Sequence, residues 1–348
     1  PRVLPEYKDP NAGRLDLASA GMSVVALLAM IFGLKQIAQD GLGPIPMAAV
    51  VIGLAVGWLW VRRQQRLTDP MIDVALFRIR SFNAALTVNF LAIFVAVGYF
   101  LFVAQYLQLV ASLSPLEAGL WSLPSALGFI IGSQLAPRIV PYVRPAYLIG
   151  GGLALAAVGL GMLTQVGTTN GLHTLVAASV VISLGLAPVF GLTTEMIVGS
   201  APPERAGAAS GISETGAELG GALGIAILGS IGVVIYRGDL AERLPAAVPP
   251  AAEAAAQDTL GSAVAVAGQL PAELGAAVLE AARAAFVHGM QLTSGIAAFV
   301  AVGLAVLTVA LLRNHGAPPA DAAAVSDGFA PPEHVAHIAP TQLEGAEG

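Results

Sequence analysis

The chain contains no cysteine. That removes a disulfide framework, a thiolate metal site and a thiol nucleophile at one stroke. Charge is also scarce: 11% of the 348 residues are Asp, Glu, Lys or Arg, against about 25% in soluble domains. A soluble globular fold is disfavoured on that count. No pair of histidines, no acid cluster with metal spacing and no nucleophile beside a base stands out, so a membrane enzyme is the weakest functional class and no cofactor is implied. His334 and His337 lie three apart without further ligands and read as solvated. The formal net charge of −6 says little about partners, because the acids gather in two polar segments; no nucleic-acid partner is implied. The chain opens at Pro1 with neither an initiator methionine nor a signal pattern, and is expected to be a piece of something longer.

What is present is apolar. Hydrophobic residues make up 56% of the chain and the mean hydropathy is +0.78. Runs long enough to cross a bilayer as helices occur at roughly 17–36, 45–61, 83–110, 116–136, 146–166, 172–198, 205–236 and 286–313. The expected fold class is therefore an all-α integral membrane protein with eight transmembrane helices. Trp58 and Trp60 close the second run ahead of Arg62 and Arg63, an aromatic belt with cationic anchors. Ser114-Pro115-Leu116-Glu117 predicts a helix start, with serine as N-cap, proline in the first turn and glutamate closing a capping box. Gly150, Gly151, Gly152, Gly159 and Gly161 suit tight packing or a bend. Residues 251–267 and 271–286 favour helix and predict a hairpin outside the membrane, its second arm running into the last span. Leu76 and Phe77, in the basic connector, are candidates for lying along the membrane surface.

Charge asymmetry predicts orientation. If the N-terminus is cytoplasmic, Lys35, Arg237, Arg243 and Arg283 fall outside, and the other 12 of the 16 lysines and arginines fall inside, as the positive-inside rule expects. The resulting organisation is a cytoplasmic linker (1–15), two transmembrane helices (16–62), a basic cytoplasmic connector (63–82), a six-helix region (83–313) with an external helical hairpin (237–285), and a disordered cytoplasmic tail (314–348).

The stretch 202–236 carries the sharpest chemical signal. Glu214 and Glu218 lie four residues apart in an otherwise uncharged run, so both project from one helix face. A carboxylate in the ~30 Å hydrocarbon layer is costly unless it faces protein or water, which makes a functional role the default. Two such groups at low dielectric repel each other, which suits uptake and release of a proton. The alternative is that both are neutral and hydrogen-bonded to neighbouring helices. Function is favoured for Glu218, and the two readings balance for Glu214. Gly216, Gly220 and Gly224 give the small-residue spacing of close helix packing. Asn89, Tyr99, Gln105 and Tyr106 interrupt the third run, and Trp121 and Gln134 the fourth. Taken singly, each reads as core packing or interfacial belt; as a set they suit a cavity for flat organic cations, held by cation–π contact. Glu195 reads as an interfacial acid, and His288 as a solvated interfacial histidine, with a gating role as the sharper alternative.

The segments SPLEAGLWSLPSALG (114–128), DPMIDVALFRIRSF (69–82) and PPERAGAASGISETGAELGGALGIAILGS (202–230) resemble the 14-helix drug:proton antiporters of the major facilitator superfamily, above all the quaternary ammonium compound efflux pumps. The likeness covers nearly all of residues 3–313. It implies that the eight spans are the second portion of a 14-helix chain, with an N-terminal six-helix bundle as the missing partner. It also implies that Glu214 and Glu218 take part in protonation and cation recognition. Phe129, a further candidate for the substrate cavity, stands where some members carry an acid, so a preference for divalent cations is not implied.

The reading is proton-coupled export of lipophilic or quaternary ammonium cations across the inner membrane, with lipid, protons and small cationic substrates as partners. Export of an endogenous metabolite or lipid precursor is the first alternative. A membrane scaffold or sensor that does not transport is the second.

Overall fold

The computed structural model describes residues 16–40, 43–67 and 74–313, and among these it contains helices and no strands. The linker (1–15), the tail (314–348) with His334 and His337, and positions 68–73 of the connector lie outside the described residues. Among the described residues ten α-helices are formed: α1 Leu17–Asp40, α2 Pro44–Gln64, α3 Arg80–Gln105, α4 Pro115–Ile139, α5 Pro145–Leu163, α6 Leu172–Gly199, α7 Ala206–Arg243, α8 Pro250–Asp258, α9 Leu260–Ala267 and α10 Ala272–Leu312.

The first two helices form an antiparallel pair. Asp16 caps α1, its Oδ1 accepting from the N–H groups of Ala18 and Ser19 at 3.1 and 3.2 Å. The same carboxylate receives Arg63 Nη2 at 3.0 Å from the end of α2. The bonds from Ser19, followed by Arg63, hold the Asp16 carboxyl down at about 2, because each favours the ionised form. Gln64 completes the knot by donating to Ser19 Oγ at 2.7 Å. Nearby, the Arg62 guanidinium stacks over the Trp58 ring at 4.0 Å, so the anchor and the aromatic belt of this helix end are one cation–π pair. Outside this knot both helices expose Val, Leu, Ile and Phe side chains along their length, as lipid-facing helices do.

Among the described residues seven helices are long and apolar enough to cross a membrane. The eighth expected span does form a helix, α4, but is not among the seven. Gly119, Ser122, Pro124, Ser125, Gly132, Ser133, Gln134 and Pro137 interrupt it and dilute its apolar character. The start of α4 carries the predicted capping box: Glu117 N–H donates to Ser114 Oγ at 3.3 Å, and Ser114 N–H donates to Glu117 Oε2 at 2.9 Å.

The helices α3, α4, α5, α6, α7 and α10 pack on one another. Close approach comes from glycine. A Cβ at Gly220 would stand 2.6 Å from the Phe90 carbonyl oxygen, one at Gly224 would strike that of Phe94, and one at Gly216 would stand 3.3 Å from Leu86 Cδ1. Contacts at every fourth residue on both helices mean that α3 and α7 run parallel and in register. In α5, Gly152 and Gly159 meet the backbone of α6 in the same way, whereas Gly151 and Gly161 face open space. Leu76 does not lie along a surface: it is 1% exposed, packed with Phe82, Ala85, Ile197, Ala209 and Ile212. A short 3₁₀ turn, Val74–Arg78, tucks it beneath α3. Phe77, its neighbour, stays exposed.

Both α7 (38 residues) and α10 (41 residues) run to roughly 60 Å, about twice the hydrocarbon thickness. Their projecting ends join α8 and α9 in a helical cap. The first arm expected of this hairpin is split at Thr259, whose extended backbone ends α8 and whose Oγ1 caps α9 by accepting from Ser262 N–H at 3.1 Å. The second arm is continuous with the last span. Tyr236 Oη donates to the Ala256 carbonyl at 2.8 Å, and Asp239 of α7 meets His288 Nδ1 of α10 at 2.5 Å. At the same end α3 finishes in a π-turn, Tyr106–Val110. Arg283 of α10 covers it, donating to the Leu109 carbonyl at 2.9 Å and to Ser112 Oγ at 2.6 Å. The guanidinium thus supplies a donor to a carbonyl of that turn.

Candidate functional site

Two neighbouring cavities lie along α3 and α6. The larger, about 390 Å3, opens between α3, α6 and α7, and Asn89, Phe100, Phe190, Thr194, Ser213 and Glu214 contribute to its wall. Glu214 is the single ionisable side chain in that wall. Ser210, Ser213, Glu214 and Ala217 reach it from one face of α7 because they recur at helical spacing. Asn89 is buried and donates from Nδ2 to Thr193 Oγ1 at 2.8 Å. The threonine hydroxyl in turn donates to the Val189 carbonyl at 2.7 Å. A buried bond of this kind contributes about 1 kcal/mol, and here it fixes the Asn89 amide at the cavity wall.

Glu218 lies one turn further along α7, is exposed, and lines neither cavity. The face it shares with Gly207, Gly211 and Thr215 is uncovered and made of small or polar residues. The two glutamates thus point the same way, yet only Glu214 reaches the cavity edge.

The smaller cavity, about 80 Å3, lies between α3, α4 and α6 and is bordered by Tyr99, Phe100, Trp121, Ser122, Ser125 and Ser179. Phe100 belongs to both cavities, with its ring centroid 4.6 Å from that of Tyr99. Trp121 meets His173 edge to face at 5.6 Å. The exposed Phe129 ring sits 6.3 Å from that of Phe190, which lines the larger cavity, but Phe129 itself is not in that wall. Gln105 is spent on its own helix, donating to the Leu101 carbonyl at 3.4 Å, and Gln134 is exposed on α4; neither borders either of these two cavities.

The structure therefore brings Asn89 together with Glu214, and Tyr99 with Trp121. Phe100, Thr194, Ser213 and Ser179 were not singled out from sequence. Ser210 and Ser213 carry a legible signal, since they precede Glu214 by four and one residues on a helix whose acids were already conspicuous. Ser179 has none, because its pairing with Tyr99 depends on how α6 crosses α3.

A largely helical chain with long apolar spans, glycine-mediated packing and a largely apolar cavity bearing one carboxylate defines a polytopic membrane protein of the transporter kind. The chain belongs to the major facilitator superfamily, whose model matches residues 15–225, a family of transporters and not of enzymes. It is 38% identical over 314 residues to the multidrug efflux pump LfrA of Mycolicibacterium smegmatis, covering 90% of this chain and 62% of that protein. It is 34% identical over 302 residues to the methyl viologen resistance protein SmvA of Salmonella typhimurium, covering 83% and 59%. It is 30% identical over 302 residues to the tetracenomycin C resistance and export protein of Streptomyces glaucescens, covering 84% and 55%. The chain thus spans between 55% and 62% of the length of these relatives.

Proposed function

We propose that this chain is the C-terminal portion of a drug exporter driven by protons, and that lipophilic cations, quaternary ammonium compounds among them, are its main substrates. The observation that carries the reading is Glu214, a lone carboxylate beside Asn89 and Phe100 in an otherwise apolar and hydroxyl-lined cavity. Such a wall offers one negative charge, aromatic faces and few competing donors, which suits a cation whose charge is spread over an apolar body. The relatives with efflux and resistance in their names support export of drugs.

Coupling follows from competition for that carboxylate. A cation entering from the cytoplasm favours the ionised state and expels the proton. A proton returning from outside neutralises the carboxylate and releases the cation. In the complete transporter the uncovered face of α7, with Glu218, meets an N-terminal six-helix bundle, and the two bundles rock about the substrate. Glu218 then relays the proton or orients the approaching bundle. In this reading the chain's own termini face the cytoplasm and the α8–α9 cap faces outside, an orientation that the distribution of lysine and arginine supports.

The test is growth. A strain deleted for the complete gene is expected to gain susceptibility to cationic dyes and quaternary ammonium biocides by several-fold, restored by a plasmid copy. Unchanged susceptibility to those compounds, with accumulation of a cellular metabolite instead, would favour export of an endogenous product.

A further inference from the structure

The two cavities share Phe100, and their walls show that they stand end to end. On α3 the larger is bordered by Asn89, Ile93, Val97 and Phe100, and the smaller by Phe100, Val103 and Leu107. On α6 the order is reversed: Thr194 and Phe190 border the larger, Ser179 and Leu175 the smaller. Helix α6 runs against α3, so both helices place the smaller cavity further from the start of α3. At ~1.5 Å per residue, Asn89 to Phe100 covers about 16 Å of helix axis, and Asn89 to Leu107 about 27 Å. The second length approaches the ~30 Å hydrocarbon layer.

Polarity is graded along this line. Glu214, Ser213, Asn89 and Thr194 gather at one end of the larger cavity. The packing of Gly220 on Phe90 and of Gly224 on Phe94 puts Glu214 level with Ala84, beyond Asn89 and away from Phe100. Between Asn89 and Phe100 the α3 wall is made of Ile93, Ala96 and Val97. A carboxylate at one end and aliphatic side chains towards the other match an elongated amphiphile better than a compact cation. Phe100 closes the apolar end. It is 52% exposed, and its ring lies 4.6 Å from that of the buried Tyr99.

We propose that Phe100 is a specificity-determining residue that sets the length of the substrate. With the cationic head at Glu214, an alkyl tail runs along Ile93 and Val97 and stops at the Phe100 ring, which divides this lane from the smaller cavity. The proposal rests on the export reading and narrows its substrate class to single-headed cations with an apolar tail. Removing the ring joins the two cavities and lengthens the lane to Leu107, by about 10 Å.

The experiment uses alkyltrimethylammonium homologues from octyl to octadecyl. A strain deleted for the complete gene carries wild type, Phe100→Ala or Phe100→Leu at matched protein level, and protection is read as the fold increase in inhibitory concentration. Toxicity and membrane partition of each homologue are the same for every plasmid, so the ratio of variant to wild type isolates the transporter. Wild-type protection is expected to rise with chain length, peak and then fall. In Phe100→Ala the peak moves to a longer homologue. Beyond the wild-type peak the ratio climbs by up to about fourfold per methylene, the gain that burying each one allows. Phe100→Leu, which leaves a smaller apolar side chain, shifts the peak less; where Phe100→Ala abolishes protection, Phe100→Leu decides. A ratio that does not change with chain length, or loss of all protection in both variants, would overturn the divider and leave Phe100 a packing residue. Wild type that protects against no homologue would instead remove the export of lipophilic cations, and this proposal with it.

Discussion

Glu214 and Glu218 show how far a single residue can be read from its spacing. Four apart, they had to share a helix face, and they do. Which of them meets a cavity depended on where α3 and α6 lie, and the balance the sequence suggested favours Glu218 where the geometry brings Glu214 to the cavity. Asn89 and Tyr99 were legible as polar interruptions of an apolar run; Gln105 and Gln134 were equally conspicuous and border neither of the two cavities along α3 and α6. Polar character alone does not say which side of a helix faces protein. Asp16 gives a prediction at this scale. Its carboxyl sits at about 2, below the ordinary carboxylate value, so the stability it lends to α1 and α2 is present above about pH 4 and is lost as pH falls towards 2. Hydrogen-exchange protection of the Ala18 and Ser19 amides should fall over that window. Asp16→Asn keeps a capping oxygen but removes the charge, and its protection should be flat between pH 7 and 2.

At the scale of elements, helix positions were legible because long apolar runs have few other options in a bilayer. The Ser114–Glu117 start was read residue by residue, since capping is local chemistry. Less legible were the continuity of α7 and α10 far beyond their apolar cores and the burial of Leu76, which are set by packing between distant segments. The glycines of α7 divide in the same way. Gly224 presses on the backbone of Phe94, whereas Gly211 has nothing within 4 Å. Gly224→Ala should therefore force α3 and α7 apart and cost about 1–3 kcal/mol, as overpacking does. Gly211→Ala should be neutral or stabilise by up to about 1 kcal/mol through helix propensity. Thermal unfolding in detergent separates the two; equal shifts would remove the case for a glycine-set interface.

For the whole molecule, family membership was legible in three segments, because they lie where the chain has least freedom: a capped helix start, the buried Leu76 turn and the glycine-lined α7. Orientation rests on charge alone and has a direct check. This portion has no cysteine, so a single cysteine placed in it is read against the otherwise unchanged transporter as background. Ala251→Cys in the cap should react with a membrane-impermeant maleimide in intact cells, and Tyr142→Cys, 82% exposed between α4 and α5, only after permeabilisation. The reverse pattern would invert the topology.

The central claim is that the carboxylate at the α3–α6–α7 cavity exchanges a proton for a cation. We would measure dye uptake by inside-out vesicles of the complete transporter under an imposed pH gradient, comparing wild type with Glu214→Gln and Glu218→Gln. Loss of a charge-assisted contact predicts a fall of at least about tenfold in gradient-driven uptake for Glu214→Gln, with a smaller fall for Glu218→Gln. Gradient-driven uptake by Glu214→Gln at the wild-type rate would contradict the account and move coupling away from this cavity.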